Sequence, residues 1–195
     1  MIKNISKTMS AAMLCVGLFM SVSLAHAADV LSSPDGHLKV TVGVKGGKPF
    51  YMIARDGKPI VNRSFLGFTL NDGAFDNGFK VIGKSRDTKN ETWTQPWGED
   101  RAVNCHYNEL KLHLQQSDKR QRQLNIVFRA FNDGIGFRYE FPKQKNLGEF
   151  RIMDEMTQIA MPTDAQAWTE PTNGTTYYEA LWTKDLLSKK DTVST

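Results

Sequence analysis

Between residues 124 and 141 the chain reads LNIVFRAFNDGIGFRYEF, and apolar side chains recur at every second position. Leu124, Ile126, Phe128 and Ala130 alternate with Asn125, Val127, Arg129 and Phe131, which places one apolar row on one face of a strand. Asn132, Asp133 and Gly134 tolerate positive φ, and Ile135, Phe137, Tyr139 and Phe141 resume the alternation. The pattern predicts a β-hairpin with one buried face. The same period recurs along the chain. Residues 37–44 set Leu38, Val40, Val42 and Val44 against polar or small partners, and residues 49–61 hold an Asp56-Gly57 turn between two short apolar runs. Residues 65–70 alternate again and are closed by Asn71-Asp72-Gly73. A strand begins at residues 79–82, before a polar stretch through Glu91, and in residues 107–114 Leu110, Leu112 and Leu114 alternate with Glu109, Lys111 and His113. Residues 151–159 could make a strand or a helical turn, of which a strand is the expectation. No segment holds a helical period over about twelve residues, so seven or more short strands separated by turns predict an all-β fold, an antiparallel β-sandwich.

The N-terminus is of another kind. Residues 1–27 open with Lys3 and Lys7, run apolar over residues 11–24 and end in Ala25-His26-Ala27, a small-x-small cleavage site. The apolar run is too short to span a bilayer comfortably, which predicts a secretory signal peptide and no stable membrane anchor. Cys15 follows Ala12-Met13-Leu14 inside that run, which is not a lipoprotein box. Cleavage would leave residues 28–195, one domain's worth of chain, able to bury roughly 70% of its unfolded surface. The formal charge of +4 loses Lys3 and Lys7 with the leader, and no basic cluster interleaves with aromatics, so nucleic acid is not an expected partner. Cys105 is then the single cysteine, and an exported chain with no internal disulfide fits a bacterial periplasm. The Asn-x-Ser/Thr triplets at Asn62, Asn90 and Asn173 carry little meaning in that compartment.

Candidate chemistry is sparse. His37, His106 and His113 are scattered, which argues against zinc, and residues 71–78 (NDGAFDNG) lack the spacing and final Glu of a calcium loop. Glycoside hydrolysis needs two opposed carboxylates, and no pair among Glu149, Asp154 and Glu155 holds a privileged place. Glu170 and Glu179 differ in being surrounded by Trp168, Tyr177, Tyr178 and Trp182; aromatic faces stack on sugar rings while carboxylates bind hydroxyls or a metal. Residues 93–99 (WTQPWGE) are a second such mixture. They read either as a packed loop or as a sugar-binding edge carried by Trp93, Trp97 and Glu99.

Three segments carry a resemblance: residues 91–110 (ETWTQPWGEDRAVNCHYNEL), residues 128–139 (FRAFNDGIGFRY), and residues 167–179 from Ala-Trp to Tyr-Glu. With the opening LSSPDG at residues 31–36, they resemble, in order, the N-terminal domain of glycoside hydrolase family 97, secreted bacterial α-glucosidases and α-galactosidases. The resemblance implies a supersandwich like that of galactose mutarotases, packed on a catalytic (β/α)₈ barrel and followed by a small β-domain. It also implies that the sandwich lends one glutamate to a Ca²⁺ site beside an α-linked gluco- or galacto-oligosaccharide. Glu179 matches that position best, with Glu170 the fallback. Catalytic residues and the other calcium ligands would lie on the barrel, so residues 28–195 are expected to be an incomplete sandwich that hydrolyses nothing alone. The competing expectation is a free-standing carbohydrate-binding or protein-interaction domain; a mutarotase-like enzyme would need a His and Glu pair that no motif supplies.

Overall fold

In a computed structural model, which describes residues 28–170 and 181–189, the alternating segments form strands. In order these are β1 (Asp29–Ser32), β2 (Leu38–Lys45), β3 (Lys48–Arg55), β4 (Lys58–Phe65), β5 (Phe68–Leu70), β6 (Gly73–Phe75), β7 (Phe79–Thr94) and β8 (Ala102–Gln116). They continue as β9 (Gln123–Ala130), β10 (Ile135–Glu140), β11 (Ile152–Glu155), β12 (Gln166–Thr169) and β13 (Thr183–Leu186). All pairings among them are antiparallel, in sheets ordered β1-β2-β3-β4, β10-β9-β8-β7, β11-β5-β6 and β12-β13.

Residues 151–160 join two of these sheets. Their backbone runs along β5 and then β4, through Asn71 N–H to Arg151 O at 3.0 Å, Met156 N–H to Gly67 O at 2.9 Å, Gln158 N–H to Phe65 O at 3.0 Å and Asn62 N–H to Ala160 O at 2.7 Å. The β1–β4 and β5–β6 sheets therefore make one layer, and β7–β10 the other. Between them Val40, Val42, Tyr51, Phe68, Leu70 and Phe75 pack with the row Leu110, Leu112, Leu114, Leu124, Ile126 and Phe128 in one core. Tyr51 lies 6.1 Å from Phe128, and Phe68 meets Tyr139 edge-on at 4.5 Å, ring pairs that fix the layers' mutual setting. This is the antiparallel β-sandwich the alternation predicts.

Four details depart from the sequence reading. Residues 65–70 are not one strand: Gly67 separates β4 from β5, because its backbone comes so close to Asp76 that a Cβ there would lie 2.5 Å from the Asp76 Cα. The β9–β10 hairpin closes without positive φ in Asn132, Asp133 or Gly134. A four-residue loop, tied by Phe131 N–H to Gly134 O at 2.8 Å, reverses the chain without left-handed backbone. By contrast Asp56 and Gly57, at φ of 50° and 78°, make the two-residue turn expected of them. The hairpin's second face is not simply solvated either. Val127 is buried, with Lys111 and Arg138 as its register neighbours, and their charged ends converge on Glu140 above it. Last, β7 and β8 are 16 and 15 residues long, far longer than the segments the alternation marks.

Candidate functional site

The extra length of β7 and β8 builds the candidate site. Pairing of β8 with β9 begins at Asn108, opposite Ala130, so residues 102–107 pair with β7 alone. Residues 88–94 and 102–108 thus leave the sandwich as a two-stranded arm. No core row continues along it, because beyond Leu110 the inward-facing positions become Asn108, His106 and Asn104, paired with Thr88, Asn90 and Thr92. These join side chain to side chain: Thr88 Oγ1 donates to Asn108 at 2.8 Å, and Asn104 Nδ2 to Thr92 Oγ1 at 3.2 Å and Asn90 Oδ1 at 3.3 Å. Asn108 Nδ2 also donates to Ser32 O at 2.9 Å, which anchors the arm's base to β1.

The opposite face is mixed. From the tip inward it carries Trp93 across from Val103, Glu91 across from Cys105, and Lys89 across from Tyr107. At the base, Tyr107 stacks on Phe131 at 5.1 Å, and the Arg129 guanidinium sits 4.4 Å above the Tyr107 ring. Arg129 Nε donates to Glu109 Oε2 at 2.7 Å, a bond that holds the guanidinium's pKa above its ordinary value. Sequence reading missed this group as a site. Its signal was there: Tyr107, Glu109, Arg129 and Phe131 share outward parity on two adjacent strands.

The tip turns at residues 95–101. Gln95 N–H bonds Arg101 O at 3.1 Å, and Gln95 Nε2 donates to Asp100 O. Glycine suits position 98 because its φ of +123° is a backbone conformation that L side chains rarely adopt. The turn leaves Trp97 82% exposed, beside an open recess of about 350 Å³ that Thr94, Gln95, Pro96, Gly98 and Arg101 also line. Trp93 is 50% exposed on the strand, and Glu99 is exposed at the turn; neither lines the recess. The structure thus brings Trp93, Trp97 and Glu99 to one end of one arm without gathering them into one pocket.

The second expected cluster is less defined. Trp168, on β12, is exposed with Lys184 Nζ 5.2 Å from its ring centre, and Trp182 is exposed just before β13. Glu170 is half-buried at the end of β12. Glu179, Tyr177 and Tyr178 lie outside the described residues. Among the described residues no three His, Cys, Asp or Glu side chains gather in a way that could hold a metal ion, so a calcium shell would need donors from elsewhere.

Comparison with known proteins follows the same outline. A family model described as the glycosyl-hydrolase 97 N-terminal domain matches residues 31–195. A retaining α-galactosidase of Bacteroides thetaiotaomicron is 31% identical over 162 residues, which are 83% of this chain and 23% of that protein. A probable retaining α-galactosidase of Streptomyces bingchenggensis is 24% identical over 178 residues, 86% of this chain and 27% of its own. Among solved structures, a glycoside hydrolase family 97 enzyme of Pseudoalteromonas sp. strain K8, in complex with panose, superposes with a TM-score of 0.76 at 33% identity. That match covers 80% of this chain and 24% of the enzyme. A β-arabinopyranosidase superposes at 0.65 with 27% identity, over 73% of this chain and 22% of its own. The chain therefore spans about a quarter of the length of the relatives it matches.

Proposed function

The chain belongs to glycoside hydrolase family 97 as its N-terminal domain, and from that premise we propose that it is the sugar-facing wall of an exported glycosidase acting on α-glucosides or α-galactosides. The observation that carries this is the arm, which leaves the core and ends in two exposed indoles. Burying a large aromatic on a long polar hairpin would stabilise the fold, so leaving Trp93 and Trp97 in water costs stability unless something else covers them. The C–H faces of a pyranose ring are suitable cover. Glu99 and Arg101, on the same turn as Trp97, are the groups that would bond its hydroxyls.

In this reading the domain binds and orients, and the reacting groups belong to another part of the enzyme. Ca²⁺, where bound, would draw charge from sugar hydroxyls and lock two parts of the enzyme together. Glu179 is the ligand this chain would lend, with Glu170 the alternative. Residues 1–27 would direct export to the periplasm.

Calorimetric titration of residues 28–195 with maltose and with melibiose tests the reading. The expected result is millimolar or better binding of at least one sugar. Trp97→Ala should weaken it about tenfold, the loss of one stacked ring at about 1.4 kcal/mol. Silence with both sugars, or affinity unchanged from the parent in both Trp93→Ala and Trp97→Ala, would overturn it.

A further inference from the structure

At its base the outward face of the arm carries a group of side chains whose polar edges the fold leaves unused. The Tyr107 ring lies beneath the Arg129 guanidinium and against Phe131, and Tyr107 as a whole is only 5% exposed. Its hydroxyl is the exception. Among the described residues every buried side-chain nitrogen and oxygen has a hydrogen-bond partner, and Tyr107 Oη has none, so the hydroxyl reaches the surface. Arg129 is held by Glu109 at Nε and by the Tyr107 ring at its face, with its side chain 35% exposed. An arginine serving only an ion pair commonly grips its carboxylate with two parallel N–H bonds. Here Glu109 takes Nε alone, and both Nη nitrogens stand without a partner among the described residues, in a plane already fixed. Further out, the same face carries the exposed Glu91 carboxylate and the half-exposed Trp93 indole.

We propose that Tyr107, Glu109, Arg129 and Phe131 form a second sugar subsite at the base of the arm, so that the arm binds an oligosaccharide lying along its outward face from Trp93 to Phe131. This rests on the reading of the arm as a saccharide-binding element and adds to it a preference for chain length. The chemistry selects a neutral sugar. A fixed fork of N–H donors matches two adjacent ring hydroxyls, and the phenol can donate to a third oxygen or accept from it. Glu109, beside the fork, accepts from a hydroxyl and repels an anion. Phe131 offers apolar area to the C–H groups of the ring. Val103, opposite Trp93, and Tyr107 stand about 13 Å apart along one strand. One sugar ring cannot reach both ends, and a disaccharide seated at the tip leaves the base empty. In a longer chain, binding at one end raises the effective concentration of the other end at its own subsite.

Calorimetry on this chain with maltose against maltopentaose, and with melibiose against stachyose, tests the subsite. In the parent, the longer sugar of at least one pair should bind about tenfold tighter than its disaccharide. Tyr107→Phe removes only the hydroxyl and should weaken the longer sugar about threefold. Arg129→Lys keeps the charge, loses the fork and should weaken it about tenfold. Neither should change the affinity of the disaccharide, since the tip is untouched. A longer sugar that binds no tighter than its disaccharide, or that keeps its affinity in both variants, overturns the base subsite and leaves the tip standing. Loss of disaccharide affinity in variants that melt like the parent also overturns it, because the ligand then has a single site. Silence with every sugar defeats the subsite and the sugar-binding reading together. Should the variants not fold, the Nε–H signal of Arg129 in the ¹⁵N-labelled parent decides. A shift with maltopentaose or stachyose and none with the disaccharides supports the subsite, and a signal that stays fixed at saturation with the longer sugar refutes it.

Discussion

Arg122 is fully buried, and every direction of its guanidinium is used. Nε donates to Gln116 Oε1 at 2.8 Å, Nη1 to Asp72 Oδ1 at 2.9 Å and Nη2 to Ala74 O at 2.8 Å, while its plane lies 4.8 Å from the Phe75 ring. It ties the β8–β9 connection to the β5–β6 hairpin. Removing it strands the buried Gln116 amide oxygen, while the Ala74 carbonyl and Asp72, both more exposed, lose their donor. Arg122→Met should therefore lower stability by about 3 kcal/mol in urea denaturation. Arg122→Lys should not restore it, because a point charge cannot serve three acceptors set in a plane. Nothing in the local sequence announces this role: among Asp118, Lys119 and Arg120, Arg122 reads as one more solvated charge. Its burial depends on a hairpin about fifty residues earlier in the chain.

At the scale of elements, the arm and the sandwich answer to different forces. The sandwich strands are held by alternating rows, whereas the arm has backbone pairing and a Thr/Asn ladder but little buried apolar surface. The two should separate experimentally. Replacing residues 91–105 with an Asn-Gly turn, which joins the register partners Asn90 and His106, should leave the thermal midpoint within a few degrees of the parent, since surface changes away from packed features are nearly neutral. The same deletion should abolish the heat of sugar binding. A collapse of the fold would show that the arm is structural. The division also explains what could be read from residues alone. Strands β2, β9 and β10 and the inner half of β8 were legible because a buried row imposes a period of two, and β3 because the Asp56-Gly57 turn follows its apolar run. The distal halves of β7 and β8 were not, because their side chains are polar on one face and mixed on the other. Asp56-Gly57 was legible as a two-residue turn because φ there is positive; the β9–β10 loop was not, since its four residues reverse the chain in another way. For Trp93, Trp97 and Glu99 the residues alone left a packed loop and a sugar-binding edge both open; their exposure and their distribution around the tip depend on the turn that Gly98 permits.

On the scale of the whole molecule, an antiparallel sandwich sends one mixed arm beyond its core, and the proposed function sets a sugar at the tip of that arm. Among its described carboxylates, Asp72 is held by Arg120 and Arg122, Glu109 by Arg129 and Asp164 by Ser188. In its relatives the matched segment is about a quarter of a longer enzyme, and in the proposed function the arm is where a saccharide would lie. Amide and indole N–H chemical shifts of ¹⁵N-labelled residues 28–195, recorded while maltose or melibiose is added, test that claim most directly. The account predicts that the indole N–H signals of Trp93 and Trp97 and the backbone amides of residues 88–106 move together and saturate, while those of β2, β3 and β9 stay fixed. Shifts centred elsewhere, or no saturable shift with either sugar, would contradict it.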